Sequence, residues 1–155
     1  RIMEERYEFM SQKGITELNE NPIIVMIDEY ATVQNMSQTL DKESYKELKN
    51  NMLTLIAKAR ASNIKFFIAT QKATSDNIDT TLRENLQSKI LMKTKSKDAQ
   101  RAVINDIEVL DELDTNPAKF AKGQYVFIDD SSENDYLIQA PFIDNQFYMQ
   151  LAKRE

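Results

Sequence analysis

The stretch PIIVMIDEYA, residues 22–31, joins five consecutive apolar residues to two carboxylates and an aromatic ring. The apolar run is short, rich in branched side chains and preceded by Pro22, which predicts a strand buried on both faces of a parallel sheet. Asp28 and Glu29 follow its last residue. Ligands of open α/β sheets bind beyond the carboxyl ends of the strands, so this pair stands where a site is expected. The alternative is that polar residues simply end a buried strand at the rim of the sheet.

A second strand with the same kind of ending follows along the chain. Residues 42–62 place apolar side chains at three- and four-residue steps, which predicts a long amphipathic helix. The run IKFFIATQ, residues 64–71, then repeats the first pattern and ends in Thr70 and Gln71. Strand, helix and strand in this order predict a βαβ crossover, with both strand ends at one edge of the sheet.

These two strand ends together suit the hydrolysis of a nucleotide. Beyond the first strand, Asp28 can hold a hydrated magnesium ion while Glu29 orients or deprotonates a water molecule, an arrangement of the Walker B type. A neutral amide such as Gln71 suits the sensing of a terminal phosphate. We therefore expect Asp28, Glu29 and Gln71 to lie close together in one crevice.

The remaining sequence alternates further helices and strands. Residues 1–13 have helical spacing and end at Gly14, a plausible helix stop. The pattern downstream predicts helices at 76–86 and 96–104, strands at 88–95, 123–129 and 135–142, and an acidic turn between the last two strands. No repeat or linker interrupts residues 1–155, which predicts a single α/β domain with two closing edge strands.

The composition excludes several classes of chemistry. The chain has no cysteine and no histidine, which removes thiol nucleophiles, disulfides, cysteine metal centres and the usual general base. It has two glycines, Gly14 and Gly123, where average usage gives roughly eleven, so a glycine-rich phosphate loop is not encoded here. No apolar run approaches the roughly 20 residues of a membrane span. From these features we expect a soluble, cytoplasmic segment.

Four blocks of the sequence carry a resemblance to a known family. They are RIMEERYEFMSQKGI (1–15), IIVMIDEYA (23–31), AKARASNI (57–64) and KFFIATQKATSDNIDTTLRENLQSKI (65–90). In this order they resemble the motor domain of the FtsK/SpoIIIE-type DNA translocases, RecA-like hexameric ATPases, over most of residues 1–128. The conjugative-element branch is more similar than the chromosome-segregation pumps. The resemblance implies a RecA-like three-layer domain with a mainly parallel sheet and closing edge strands.

The resemblance also implies that a part of the motor domain lies upstream. The family's Walker A loop would precede residue 1, and this chain contains no GK[ST] sequence to form one. Residues 1–155 are therefore expected to be a partial motor domain that lacks the Walker A strand, loop and helix. We expect such a fragment not to hydrolyse ATP by itself.

Site residues and cofactors follow from the same resemblance. ATP and Mg²⁺ are the implied cofactors, with Asp28 on the metal and with Asp28 and Thr70 at the nucleotide. Glu29 and Gln71 are the implied catalytic residues. Arg60, in the ARA segment, is implied to reach a neighbouring subunit's nucleotide as an arginine finger. The alternative for Arg60 is a solvated cation that stabilises the carboxyl end of its helix.

DNA is the implied partner. The family carries cations that face a central pore at positions matching Lys72, Arg83 and Lys97, although each could be an ordinary surface charge. A net charge of −5 opposes a basic footprint over the whole surface, yet it permits a few cations aimed at one place.

The implied function is ATP-driven translocation of double-stranded DNA by a homo-hexamer, in conjugative transfer or chromosome segregation. Such a ring would work at the cytoplasmic face of a bacterial membrane, anchored, if at all, through segments outside this one. Two alternatives remain at this point: an FtsK/SpoIIIE-type ATPase of a type VII-like protein secretion system, and a non-catalytic α/β interaction domain.

Overall fold

A computed structural model describes residues 1–36 and 39–151 of the chain. The described helices are α1 (Ile2–Lys13), α2 (Tyr30–Asn35), α3 (Lys42–Lys58), α4 (Thr80–Asn85), α5 (Lys97–Ile104), α6 (Glu108–Glu112) and α7 (Asn145–Leu151), with a 3₁₀ turn at Pro117–Lys119. The strands are β1 (Ile23–Ile27), β2 (Ile64–Ile68), β3 (Ser88–Leu91), β4 (Gln124–Asp129) and β5 (Tyr136–Gln139). They belong to two compact units, Arg1–Leu86 and Gln87–Glu155. The single domain expected over residues 1–155 stays a prediction.

In the first unit, α1 begins and ends as its sequence predicts. Gly14 takes the left-handed conformation (φ 66°, ψ 28°) that glycine adopts without steric cost. The Arg6 guanidinium donates to the carbonyls of Ser62 (2.7 Å) and Asn21 (2.6 Å), and the Tyr7 hydroxyl donates to the carbonyl of Lys58. These bonds fasten α1 to the end of α3 and to the loops that precede β1 and β2.

The two strands of the first unit form the predicted crossover. β1 and β2 pair in parallel, with Ile23 opposite Ile64 and Ile27 opposite Ile68. The connection contains α2 and α3, and α3 begins at Asp41, whose carboxylate accepts the N–H groups of Glu43 and Ser44. The ends of both strands therefore meet at one edge, as the sequence indicates.

One face of this parallel pair lies open. Met26 is 77% exposed, Phe67 58% and Ile24 57%, so the expectation that β1 is buried on both faces is wrong. The reason is that the apolar cluster of the described part of the unit packs against the other face. That cluster comprises Tyr30, Ile56 and Leu82, with Ile27, Val33, Met52, Leu53, Phe66, Ile68, Ile78 and Leu86 packed against it.

The second unit is built on an antiparallel sheet in the order β3–β4–β5. Leu91 lies opposite Val126, and Phe127 lies opposite Tyr136. The first pairing is reinforced by an ion pair between Lys89 and Asp130 at 2.6 Å. The apolar core under this sheet consists of Leu91, Ile104, Val109, Leu110, Phe120 and Val126.

The α/β class and the two closing strands are confirmed, but the mainly parallel sheet needs correction. Among the described strands only β1 and β2 pair in parallel, and the other three form an antiparallel sheet. The short turn at 130–135 between β4 and β5 permits antiparallel pairing alone, because a parallel return needs a crossover of a dozen or more residues. In residues 1–36 and 39–151, no helix has both the length and the apolarity to cross a membrane.

Candidate nucleotide site at the ends of two parallel strands

Glu29 begins α2 and caps it with its own side chain. Its backbone is extended (φ −136°, ψ 98°), and Oε1 accepts the N–H of Ala31 at 3.1 Å. Carboxylates are favourable at a helix amino terminus because the first N–H groups have no partner within the helix. This cap fixes the direction of Glu29 immediately beyond the end of β1.

The end of β2 supplies two further donors to the same carboxylate. The Thr70 hydroxyl donates to Glu29 Oε1 at 2.5 Å, and the N–H of Gln71 donates to Oε2 at 3.0 Å. The backbone ladder continues to this point, since the N–H of Tyr30 bonds the carbonyl of Ala69 at 2.8 Å. The structure thus brings together three of the predicted site residues, and the contacts run through the Glu29 carboxylate.

These bonds favour the ionised form of Glu29. Its pKa is lowered, first because the Thr70 hydroxyl donates to the carboxylate, and further because the N–H groups of Gln71 and Ala31 do so. The positive charge of Lys72 acts in the same direction, whereas desolvation opposes it. Glu29 is therefore an anion at neutral pH, the form that can accept a proton.

Asp28 has different surroundings. It is exposed beyond the last residue of β1, and it is not among the hydrogen-bonded or ion-paired side chains of the described residues. Within the part of the chain that the structure describes, no three acidic, histidine or cysteine side chains are grouped to hold a metal. Mg²⁺ often uses one carboxylate together with water and nucleotide phosphates. A single accessible carboxylate at this edge fits that mode of binding.

The contacts of Thr70 and Gln71 differ from those that the sequence indicates. The Gln71 side chain is exposed, and its backbone N–H meets Glu29. Thr70, predicted to bind the cofactor, uses its hydroxyl to bind Glu29 and also accepts the N–H of Lys72 at 3.3 Å. This link was not predicted, because its one signal in the sequence is that two adjacent strands both end in polar residues.

Arg60 does not join this cluster. It is exposed after the carboxyl end of α3 and before β2, where its carbonyl accepts the N–H of Asn63 at 3.0 Å. The five residues of β2 separate it from Gln71, a strand length of roughly 16 Å. Arg60 therefore lies toward the opposite edge of the parallel pair.

The three predicted DNA contacts are distributed over both units. Lys72 is exposed directly after Gln71, and Arg83 is half-buried within α4. Helix α4 is held by Asp79, which caps it and forms an ion pair with Lys49 at 2.8 Å. Lys97 is exposed at the first residue of α5, in the second unit.

Comparison with known proteins shows which of them this chain resembles in sequence. No protein-family model matches the chain. The DNA translocase FtsK of Lactococcus lactis subsp. cremoris (strain MG1363) is 26% identical over 164 residues, covering 92% of this chain and 20% of the relative. The chain is similar to the motor domains of FtsK/SpoIIIE-type DNA translocases. The DNA translocase SftA of Bacillus subtilis (strain 168) is 22% identical over 158 residues, covering 93% of this chain and 15% of SftA.

Two solved structures are similar to the chain in fold. The pCW3 conjugation coupling protein TcpA, in a monomer form with ATPγS, superposes with a TM-score of 0.76 at 19% identity, covering 99% of this chain and 46% of TcpA. EssC (ATPases 2 and 3) from Geobacillus thermodenitrificans superposes with a TM-score of 0.66 at 20% identity, covering 99% of this chain and 28% of EssC. The fold is RecA-like, and the chain spans a fifth or less of the curated relatives that it matches.

Proposed function

We propose that this chain is part of an ATP-driven motor that translocates double-stranded DNA. One observation carries the proposal: Glu29, at the end of β1, is bound by Thr70 and Gln71 at the end of β2, in a chain related to DNA translocases. Conjugative transfer and chromosome segregation are the two settings that suit such a motor, and the likeness to TcpA favours the first.

Each strand-end residue has a proposed part in ATP hydrolysis. Asp28 holds Mg²⁺ through water or directly, and the ion neutralises charge on the phosphates when it is bound. Glu29 accepts a proton from the attacking water, and the Gln71 amide senses the terminal phosphate. Thr70 borders the nucleotide at the same edge.

Arg60 is proposed to act on a neighbouring subunit. Its position toward the opposite edge of the parallel pair keeps it away from Glu29 of its own chain. A guanidinium presented by one subunit to the next can spread the negative charge of the transition state. This proposal requires a ring, and the homo-hexamer of the family is the assembly that we propose.

The proposed contacts with DNA do not depend on its base sequence. Lys72, Arg83 and Lys97 would contact phosphates, which hold a duplex in place and carry no base information. A motor that must move along any duplex needs contacts of this kind.

The isolated 155-residue chain is proposed to bind ATP poorly and to be inactive. It has two glycines and no GK[ST] sequence, so it lacks the backbone cradle that binds phosphates in such enzymes. The full gene product would supply that loop, together with any segment that anchors the ring at the cytoplasmic face of a bacterial membrane.

A second candidate is an ATPase of a type VII-like protein secretion system. The likeness to EssC favours it. The same strand-end chemistry would then drive the movement of a polypeptide, and only the partner of the pore cations would differ.

The deciding experiment measures ATP hydrolysis by the full gene product with linear double-stranded DNA and, separately, with unfolded polypeptide. We expect DNA to stimulate hydrolysis and polypeptide to leave it unchanged. Stimulation by polypeptide and not by DNA would instead support the function in protein secretion. Hydrolysis that neither substrate changes, and that Glu29→Gln does not reduce, would overturn both.

A further inference from the structure

One hydroxyl group joins two regions to which the proposed function gives different tasks. Thr70 Oγ1 donates to Glu29 Oε1 at 2.5 Å and accepts the backbone N–H of Lys72 at 3.3 Å. Glu29 is the proposed base, and Lys72 is a proposed DNA contact. Between them in the chain, the N–H of Gln71 donates to Glu29 Oε2 at 3.0 Å. The Thr70 side chain therefore bonds the turn at 70–72 to the Glu29 carboxylate and also bonds the backbone of the turn itself.

These bonds restrict what the carboxylate can do in this conformation. Glu29 Oε1 takes two donors, from Ala31 and Thr70, and Oε2 takes one, from Gln71. A carboxylate has about four acceptor positions, so most of them are taken by groups of the chain itself. An attacking water must compete with bonds to a charged acceptor, which are among the stronger hydrogen bonds in proteins. If one of these donors moved away, the carboxylate could bind the attacking water.

We infer that Thr70 is a positioning residue that couples DNA contact at Lys72 to the Glu29 carboxylate. In the conformation seen here the hydroxyl holds Glu29 against the end of β2. Movement of the 70–72 turn, when Lys72 contacts a DNA phosphate, withdraws the hydroxyl and releases the carboxylate. This inference rests on the proposed function and gives it a route from duplex to hydrolysis. Thr70 acts through Glu29.

Three variants of the full gene product test the coupling. Thr70→Val keeps the shape and removes the hydroxyl, Thr70→Ser keeps the hydroxyl, and Thr54→Val makes the same chemical change at an exposed position of α3. For Thr70→Val we expect DNA-independent hydrolysis to rise, so that stimulation by DNA falls roughly tenfold, the size of a hydrogen bond to a charged group. The change should lie in kcat and not in KM for ATP. Thr70→Ser and Thr54→Val should retain the parent's stimulation.

A second measurement needs no activity. In the 155-residue chain, the amide proton shifts of Ala31 and Gln71 report their hydrogen bonds to the two oxygens of Glu29. Both shifts should change in Thr70→Val, because the carboxylate loses its third donor, and neither should change in Thr54→Val. Unchanged shifts in Thr70→Val would overturn the inference.

The outcomes separate the inference from the proposed function. If the parent enzyme is not stimulated by DNA, the proposed function fails and the coupling fails with it. If the parent is stimulated and Thr70→Val is stimulated equally, only the coupling fails. A rise in KM with unchanged kcat would show that the hydroxyl of Thr70 affects nucleotide binding alone and would also overturn the coupling. Loss of stimulation in Thr70→Ser equal to that in Thr70→Val would show that the hydroxyl is not responsible.

Discussion

The two compact units differ in how completely their apolar cores are closed. In the described part of the unit Gln87–Glu155, the cluster has six buried residues, among them Phe120 at 2% exposure and Val126 at 0%. The unit Arg1–Leu86 has three, and Phe67 on its open sheet face is 58% exposed. The unit Arg1–Leu86 contains the whole of the strand-end cluster around Glu29.

The difference follows from the kind of sheet in each unit. An antiparallel sheet is stable with one face packed and the other toward water, whereas parallel strands are normally covered on both faces. In the first unit, the helices cover one face of β1 and β2 and leave side chains such as Met26 exposed. This unit is instead stabilised by polar contacts, namely the helix caps and the hydrogen bonds at the strand ends. We therefore expect apolar truncation to affect the second unit most and polar substitution to affect the first.

The largest effect is expected from a matched pair of phenylalanines. Phe120→Ala should lower the free energy of unfolding by about 3–5 kcal/mol, because it leaves a cavity in a closed core. Phe67→Ala, at an exposed position, should cost about 0.5 kcal/mol or less. Urea denaturation of the 155-residue chain measures both. Equal losses would show that the open face of the first unit is covered in solution.

The next effect concerns the carboxylate at the strand ends. In the full gene product, Glu29→Gln should keep nucleotide binding and reduce hydrolysis by about 10²-fold or more, because the amide cannot accept the proton. Asp28→Ala should instead weaken Mg²⁺-dependent binding. Glu17→Gln, at an exposed position of the same unit, is the control. Hydrolysis by Glu29→Gln within a few-fold of the parent would remove Glu29 from the role of base.

A smaller effect tests whether both units face DNA. Lys72→Ala, Arg83→Ala and Lys97→Ala should each lower the slope of log affinity against log salt by about 0.9, because each phosphate contact releases counterions. Binding should weaken equally for all DNA sequences. Lys65→Ala, at an exposed position in β2, should leave the slope unchanged. If Lys72→Ala and Arg83→Ala lower the slope and Lys97→Ala does not, the DNA contact is confined to the first unit.

The smallest effect is the pH dependence of the ion pair between Lys49 and Asp79. The pKa of Asp79 is lowered, chiefly by its hydrogen bond from Lys49, and the pKa of Lys49 is raised, chiefly by Asp79. The carboxylate therefore adds stability above its ordinary pKa of 3.8 and loses it as pH falls through the lower folded value. The ammonium adds stability below its ordinary pKa of 10.5 and loses it as pH rises through the higher folded value.

Asp79→Asn isolates this charge, because asparagine also caps a helix. We expect it to lower the free energy of unfolding by about 0.5–1 kcal/mol at pH 7, as for partly exposed ion pairs. The difference from the parent should shrink below about pH 4, as the parent's carboxylate is protonated. Asp76→Asn, at an exposed position, should show no such difference. A constant difference at all pH values would point to the cap instead of the charge.

The sequence by itself determined those helices and strands that depend on residues close together along the chain. Gly14 caps the end of α1 and Ser96 caps the start of α5, close to the predicted helix ends, because caps are local chemistry. The apolar runs placed β1 and β2, and their order around a helix predicted the parallel pair. The short helix α2 escaped detection because six residues offer too few positions for a helical period to show. For the site, the sequence placed Asp28, Glu29 and Gln71 at strand ends, but it did not predict the bonds from Thr70 and Gln71 to Glu29.

The tertiary structure alone decided the contacts that depend on strand register and on what covers each face. The sequence could not show that Met26 is exposed, because an apolar run reads the same whether one or both of its faces are covered. It could not show the antiparallel pairing of β3 either, because pairing direction depends on strands distant in the chain. The bond from Thr70 to Glu29 joins residues 41 positions apart. It exists because the register of β1 on β2 brings their ends level, and no local pattern records that alignment.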